Sequence, residues 1–405
     1  MRERIDTTFR ALRSRNFRLF LFGQGISLIG TWMQRVALHW LVYKITGSAL
    51  MLGVVGFASH IPLLAAPLAG VILDRYSKNR VIIVTQILAM AQAFLLAYLV
   101  LSGQIEVWHI IVLSLVLGAI NAFDVPGRQS FYVQLIDKKE DLQNAIALNS
   151  IIFHASQFIG PSIAGILIAT YSEGVAFLIN GLSYIPVIIS LLLISVKFEA
   201  VSDKTGTFLS ELKDGFKYIS SSPPLKNILF LVAAISIMGW SYNILFPIFA
   251  KDVLGGDAKV FGFLTAASSI GAILSAFYAA SRKNLDGANK RAVFFAGVFG
   301  AALIIFAVSK NLWLSIIAAG VVGLGSMLHN TSAISFYQNL LSEDKRGRSM
   351  SFYVLAHRGL MPVGSLLLGF MASSIGAPAA LVIGGSFCVL VALFFAPRIF
   401  SSKIR

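Results

Sequence analysis

The sequence predicts an all-α membrane protein of 12 transmembrane helices in two pseudo-symmetric six-helix bundles. Three observations carry this expectation. Hydrophobic residues make up 57% of the 405-residue chain and charged ones only 13%, the reverse of what a soluble surface needs. Apolar runs of about 20 residues, enough to cross a bilayer as helix, recur along its length. The chain also repeats itself. Ser130-Phe131-Tyr132 with Gln134-Leu135 returns as Ser335-Phe336-Tyr337 with Asn339-Leu340, an offset of 205. Gly160 and Gly165 return as Gly364 and Gly369 at 204, while Ile26-Ser27, Gly30 and Gly53 return as Ile235-Ser236, Gly239 and Gly262 at 209.

Taken in order, the expected spans are residues 17–43, 49–73, 81–101, 107–123, 143–169 and 174–196, then 226–250, 258–281, 291–309, 312–334, 349–373 and 377–397. Residues 1–196 form an N-terminal bundle, 197–225 a cytoplasmic linker and 226–405 a C-terminal bundle. Within the linker, Phe208, Leu212, Phe216 and Ile219 recur at helical spacing with Glu211, Lys213, Asp214 and Lys217 between them. That pattern reads as a short amphipathic helix, a tether lying on the membrane face. The single cysteine, Cys388, lies inside the last span, cannot form an intramolecular disulfide and reads as a small buried hydrophobe.

The net charge of +15 is distributed in a way that excludes nucleic acid as a partner. Lys and Arg concentrate in the N-tail, in the 2–3, 4–5, 8–9 and 10–11 loops, in the linker and in the C-tail. Lys44, Lys251, Lys259 and Lys310 fall on the other side. This is the positive-inside bias, so both termini are expected in the cytoplasm. Trp40, Trp108 and Trp313 fall near the outer ends, where amphipathic rings anchor at the interface. The first apolar run is too long for a signal peptide and lacks a cleavage pattern. A duplicated bundle of this kind is how one large class of secondary transporters builds a site near the bilayer midplane.

The motifs carry a family resemblance. Gly70-Val71-Ile72-Leu73-Asp74-Arg75-Tyr76-Ser77-Lys78-Asn79-Arg80, between spans 2 and 3, resembles the signature loop of the major facilitator superfamily, departing at Ser77 where that family has Gly. The resemblance implies the major facilitator fold, a bacterial cytoplasmic (inner) membrane location and a cytoplasmic latch made by Gly70, Asp74, Arg75, Lys78 and Arg80. Asp124-Val125-Pro126-Gly127-Arg128-Gln129 is similar to the corresponding segment of the enterobactin-exporter and macrolide-efflux branch, which adds Asp124 and Arg128 to the gate. Gly30-Thr31-Trp32-Met33-Gln34, Thr46-Gly47-Ser48-Ala49 and Arg346-Gly347-Arg348 extend the likeness over essentially the whole chain. Gly160-Pro161-Ser162-Ile163-Ala164-Gly165 resembles the antiporter motif of exporters in this superfamily, with Ala164 replacing a Gly, and so favours export over import.

A substrate site needs polar side chains far from the helix ends. Helix 1 offers Gln24, Ser27, Thr31 and Arg35 on one face with Gln34 adjacent, and helix 7 offers Ser236, Trp240 and Asn243. Helix 5 carries His154, helix 11 His357 and Arg358, helix 10 His329 and Asn330, and helix 2 His60. No Asp or Glu falls near the middle of any expected span, which leaves a cationic cavity. A charge at membrane depth costs about 2.5–3.5 kcal/mol on insertion scales, so the arginines need a purpose. The expectation is an anionic or acid-bearing amphiphile as substrate, with Arg358 and Arg35 as counter-charges and Trp240 burying its apolar part. The alternative role for Arg358 is a structural gate.

Many exporters of the superfamily use an acid in helix 1 or an Arg in helix 4 for proton exchange; the expected spans contain neither. A histidine near its unperturbed pKa of about 6.5 could carry the proton instead, His154 first, with His39, His60 and His357 open. No P-loop, cofactor motif or metal-ligand spacing occurs, so no enzyme, cofactor or metal is expected. Proton-coupled efflux of a siderophore or drug by a monomer is the leading expectation. A lipid or lysolipid flippase, a nutrient uptake symporter, and a membrane enzyme or receptor on the same scaffold stay open.

Overall fold

The structure, a computed structural model, describes residues 9–65, 75–195, 217–280, 287–342 and 345–400. Gly70 and Asp74, the linker residues Phe208, Leu212 and Phe216, and Ser281-Arg282-Lys283 lie outside the described residues. The chain forms two compact units, one of Met1–Ile45 with Ala58–Ser202, the other of Thr46–Phe57 with Asp203–Arg405.

Ten described helices are both long and apolar enough to cross a membrane, and two more complete the 12. Of these two, α1 (Arg15–Thr46) runs 32 residues but carries Arg15, Arg18, Arg35 and Lys44. The other, α2 (Ala49–His60), passes into a 3-10 turn, Ile61–Ala65, where Pro62 removes a ladder donor. Most of α2 falls in the second unit; the first holds α1 with α3 (Lys78–Leu101), α4 (Val107–Leu135), α5 (Leu142–Thr170) and α6 (Glu173–Leu193). The second holds α7 (Pro223–Val253), α8 (Ala258–Ala280), α9 (Ala288–Val308), α10 (Leu312–Leu340), α11 (Arg346–Ile375) and α12 (Ala377–Phe400).

Three elements differ from the sequence expectation. Helix α4 does not end at residue 123 but runs through Asp124, Pro126 and Arg128 to Leu135. Asp124 and Arg128 are therefore helical, and α4 does contain an arginine. Pro223 and Pro224 belong to the first turn of α7 rather than to the linker, as suits residues whose missing N–H would be unpartnered there anyway. Helix α7 itself is interrupted. Regular helix stops at Met238, a 3-10 turn covers Tyr242–Leu245, and a π turn covers Phe249–Val253. Pro247 cannot donate to the carbonyl of Asn243, which accepts from Phe246 N–H instead. Helix α11 has a matching defect, a π turn at Leu355–Gly359 just before Pro362. Their repeat mates α1 and α5 are continuous.

Each unit packs the same way inside. In the first, α3 lies on α4 and α6; in the second, α9 lies on α10 and α12. Small residues set the approach, as expected where lipid gives helices no hydrophobic reason to associate. A methyl group on Gly300 of α9 would sit 2.5 Å from the carbonyl oxygen of Gly385 on α12. The first unit buries Phe17, Phe20, Phe131, Tyr132 and Tyr184, with Phe20 edge-on to Phe131 at 5.8 Å. The second packs Phe306 against Phe246 and Phe249 with tilted rings, at 5.1 and 4.7 Å. Phe22, Phe230, Phe277 and Phe394 stand exposed, a liability in water and the expected outer face in a bilayer. At one end of the first unit Lys44 meets the buried carboxylate of Glu173 at 3.0 and 3.2 Å, closing α1 onto the start of α6.

Candidate functional site

In the first unit most of the polar face of α1 is consumed internally. Gln24 donates to Tyr132 Oη at 3.3 Å and to Asn149 Oδ1 at 3.2 Å. Thr31 donates to the carbonyl of Ser27 at 2.9 Å. Gln34 belongs to a buried chain of amides. Asn180 donates to Gln34 Oε1 at 2.7 Å, Gln34 to Gln92 Oε1 at 3.0 Å, and Gln92 to the carbonyl of Leu113 at 3.2 Å. Four helices, α1, α3, α4 and α6, are tied by this chain. It satisfies each amide in a place where an orphaned one would be costly.

A second buried assembly surrounds Asp124, which is 4% exposed and close to the middle of α4. Arg128 Nε lies 2.7 Å from Asp124 Oδ2, one helical turn away. Thr85 Oγ1 and Gln86 Nε2 on α3 both donate to Asp124 Oδ1, at 2.8 and 2.7 Å. The carboxylate is thus neutralised by Arg128 and hydrogen-bonded from α3, which is what lets it stay buried. Among the other motif residues, Lys78 reaches the carbonyl of Ser130 at 3.5 Å, while Arg75 and Arg80 are exposed.

The remaining first-unit candidates are more open. Arg35 is exposed, its guanidinium 4.4 Å above the Trp32 ring, a cation–π contact. His39 lies within electrostatic reach of Arg35 and His60, so α1 and α2 hold three basic groups together. His154 on α5 is half-buried beside Phe153, which is edge-on to Trp32 at 5.8 Å; its Nδ1 has no hydrogen-bond partner. Gly160 brings α5 onto α1: a methyl there would stand 2.6 Å from Trp32 Cβ and 2.8 Å from the carbonyl oxygen of Ile29. Pro161 and Gly165 are buried in the same helix.

In the second unit five of the expected residues converge. The break in α7 presents Trp240, whose ring meets His357 edge-on at 4.5 Å. Tyr353, one turn before His357 on α11, stacks toward it at 6.3 Å and donates to Asn330 Oδ1 at 3.0 Å and to the Asn330 carbonyl at 3.2 Å. His329, fully enclosed, bonds the carbonyl of Ala292 through Nδ1 at 2.8 Å. His329 and Arg358 both lie within electrostatic reach of His357. Three nitrogens of this cluster, Trp240 Nε1, His329 Nε2 and His357 Nε2, are buried without a partner. Arg358 itself is exposed, and Asn243 is half-buried in the 3-10 turn three residues past Trp240.

Some members were not singled out from sequence. Tyr353 could have been found, since it sits four residues before His357 and so on the same face. Gln86, Gln92 and Asn180 are polar residues deep in apolar runs, a signal present but unused.

A twelve-helix chain with internal repeats, buried polar clusters at helix breaks and an apolar outer face is a transporter of the major facilitator superfamily, not an enzyme. Residues 6–401 match the family described as transmembrane secretion effectors, and the chain belongs to it. The staphyloferrin A transporter of Staphylococcus aureus is 26% identical over 96% of this chain and 98% of its own length. Macrolide efflux protein A of Streptococcus pyogenes is 20% identical over 92% of this chain and 93% of its own. The multidrug efflux pump Tap of Mycolicibacterium fortuitum is 24% identical, covering 88% and 89%. A solved bacterial homologue of the human lysosomal transporter Spinster, inward-facing and unoccupied, shares the fold with a TM-score of 0.74 at 14% identity, covering 95% of this chain and 97% of that one.

Proposed function

We propose that this chain is a secondary active exporter that couples outward movement of a small anionic or acid-bearing amphiphile, of siderophore or drug type, to inward movement of protons by alternating access. The observation that carries the reading is the pair of backbone interruptions in the second unit, at Gly239–Leu245 of α7 and Leu355–Gly359 of α11. Irregular backbone at membrane depth is tolerated only where protein buries it or where it lines a cavity, and broken helices are where such transporters hold cargo and coupling ions. Here they present Trp240 and His357 with unpartnered nitrogens. Trp240 offers an apolar face and an N–H donor, while Arg358 and Arg35 supply positive charge. Proton exchange is assigned to His154 and His357. Relatives named for macrolide and multidrug efflux support the outward direction. The loop charges support an orientation with both termini inside, and we take the chain as a monomer in a bacterial cytoplasmic membrane.

The test is transport in proteoliposomes under an imposed pH gradient, with anionic, neutral and cationic amphiphiles compared. Gradient-driven movement of the anionic members is expected, falling about tenfold or more in Arg358→Gln, as loss of a charged hydrogen bond implies. Movement of cations alone overturns the charge assignment, and movement indifferent to the gradient overturns proton coupling.

A further inference from the structure

A cleft of about 950 Å³ opens in the first unit, lined by residues of that unit alone. The start of α3 forms one wall, α4 another, and Ile194–Ser195 after α6 a third. Its two ends differ in chemistry. Arg75 and Arg80 stand exposed at the mouth, neither paired with a carboxylate among the described residues. Asn79 also lines the cleft and ties its wall to α6, its Nδ2 donating to the carbonyl of Leu191 at 3.1 Å. Beyond Arg80 the lining turns apolar, with Val84 and Leu88 half-exposed on α3 and Phe123 on α4. At 1.5 Å per residue, Arg80 to Leu88 spans about 12 Å along the helix.

We infer that this cleft is a binding site for an anionic glycerophospholipid such as phosphatidylglycerol. Two guanidinium groups take the phosphate, and an acyl chain lies along Val84, Leu88 and Phe123. A soluble anion would use only the mouth and leave an apolar wall wet; a neutral lipid would use only the wall and leave the two exposed arginines unused. The lipid joins both, and each basic residue near an anionic leaflet is worth about fivefold in binding. Thr85 lines the same cleft while donating to Asp124, so an occupant touches the residue that holds the Asp124–Arg128 pair. The inference does not depend on which substrate is carried.

The experiment titrates the purified full chain in detergent with phosphatidylglycerol, with phosphatidylcholine of the same acyl chains, and with glycerol 3-phosphate, read by native mass spectrometry. Phosphatidylglycerol is expected to bind at least about tenfold more tightly than phosphatidylcholine. Arg75→Gln with Arg80→Gln should abolish that preference, and Val84→Trp, which fills the apolar wall but keeps both arginines, should weaken phosphatidylglycerol alone. Lys290→Gln, an exposed charge on α9, should change nothing. Equal binding of the two lipids marks an ordinary lipid annulus and overturns the site. Glycerol 3-phosphate competing as well as the lipid, or a preference that survives loss of both arginines, overturns it too.

Discussion

Trp240 meets His357 edge to face, with ring centroids 4.5 Å apart and planes inclined at 82°. The contact joins the break in α7 to the π turn of α11, and it leaves Trp240 Nε1 and His357 Nε2 without partners. Unpartnered buried nitrogens cost stability, about 1–3 kcal/mol each, and are retained where something else uses them. Replacing either ring by phenylalanine keeps an aromatic face at the contact and removes the orphaned nitrogen, the smaller ring at Trp240 giving back part of that gain as a cavity. Trp240→Phe and His357→Phe are therefore expected to unfold at the same or a higher temperature than the parent. Transport in proteoliposomes should fall about tenfold or more in each. A pair serving packing alone would keep its transport.

Asp124 is held by groups on its own helix and on α3, and removing its charge strands Arg128. Breaking one side of a buried ion pair costs about 3–5 kcal/mol. Asp124→Ala should lose stability on that scale, measured as a lowered unfolding midpoint in detergent. Adding Arg128→Gln should restore part of it, because the second change removes the stranded charge. Additive losses would mean that the two side chains do not depend on each other.

The amide chain through Gln34 makes a different signature. Gln92→Leu orphans Gln34 Nε2, while the carbonyl of Leu113 keeps its helical donor, an expected loss of about 1–3 kcal/mol. Activity per folded molecule should then be unchanged for anionic and neutral substrates alike. A shift in substrate preference would instead make Gln34 a contact for the cargo.

How much of this was legible follows from what hydropathy and repetition report. The spans and the duplication were readable because each depends on runs of apolar residues and on recurring glycines. The extension of α4 was not, because Asp124 lowers local hydropathy and the averaging cannot see that Arg128, one turn on, neutralises it. The polar face of α1 was visible, but its direction was not. Gln24 and Gln34 point to partners on α4, α5, α3 and α6 that lie 58 to 146 positions away in sequence. In the second unit Trp240, His329, Asn330, His357 and Arg358 were singled out as polar or aromatic residues at depth. What sequence could not supply is the pair of breaks: Pro247 and Pro362 were present, but their effect depends on which carbonyl each one orphans.

Gly364 tests the duplication itself. It faces the backbone of Ile237 on α7, as Gly160 faces that of Ile29 on α1, so the two halves use one device at matching places. A methyl on Gly364 would collide with the Ile237 carbonyl, a backbone atom that cannot rotate away. Overpacking of this kind costs about 1–3 kcal/mol, against a gain of up to about 1 kcal/mol from replacing a helical glycine by alanine. The balance is unfavourable at Gly364 and Gly160. At Gly297 on α9, where a methyl would meet nothing within 4 Å, only the gain remains. Gly364→Ala and Gly160→Ala are thus expected to lower the unfolding midpoint and the monodisperse yield, while Gly297→Ala raises the midpoint or leaves it unchanged. Should Gly364→Ala be as stable as the parent, α7 and α11 can part at that contact without loss, and close helix packing there is not what holds the broken segment of α7 in place.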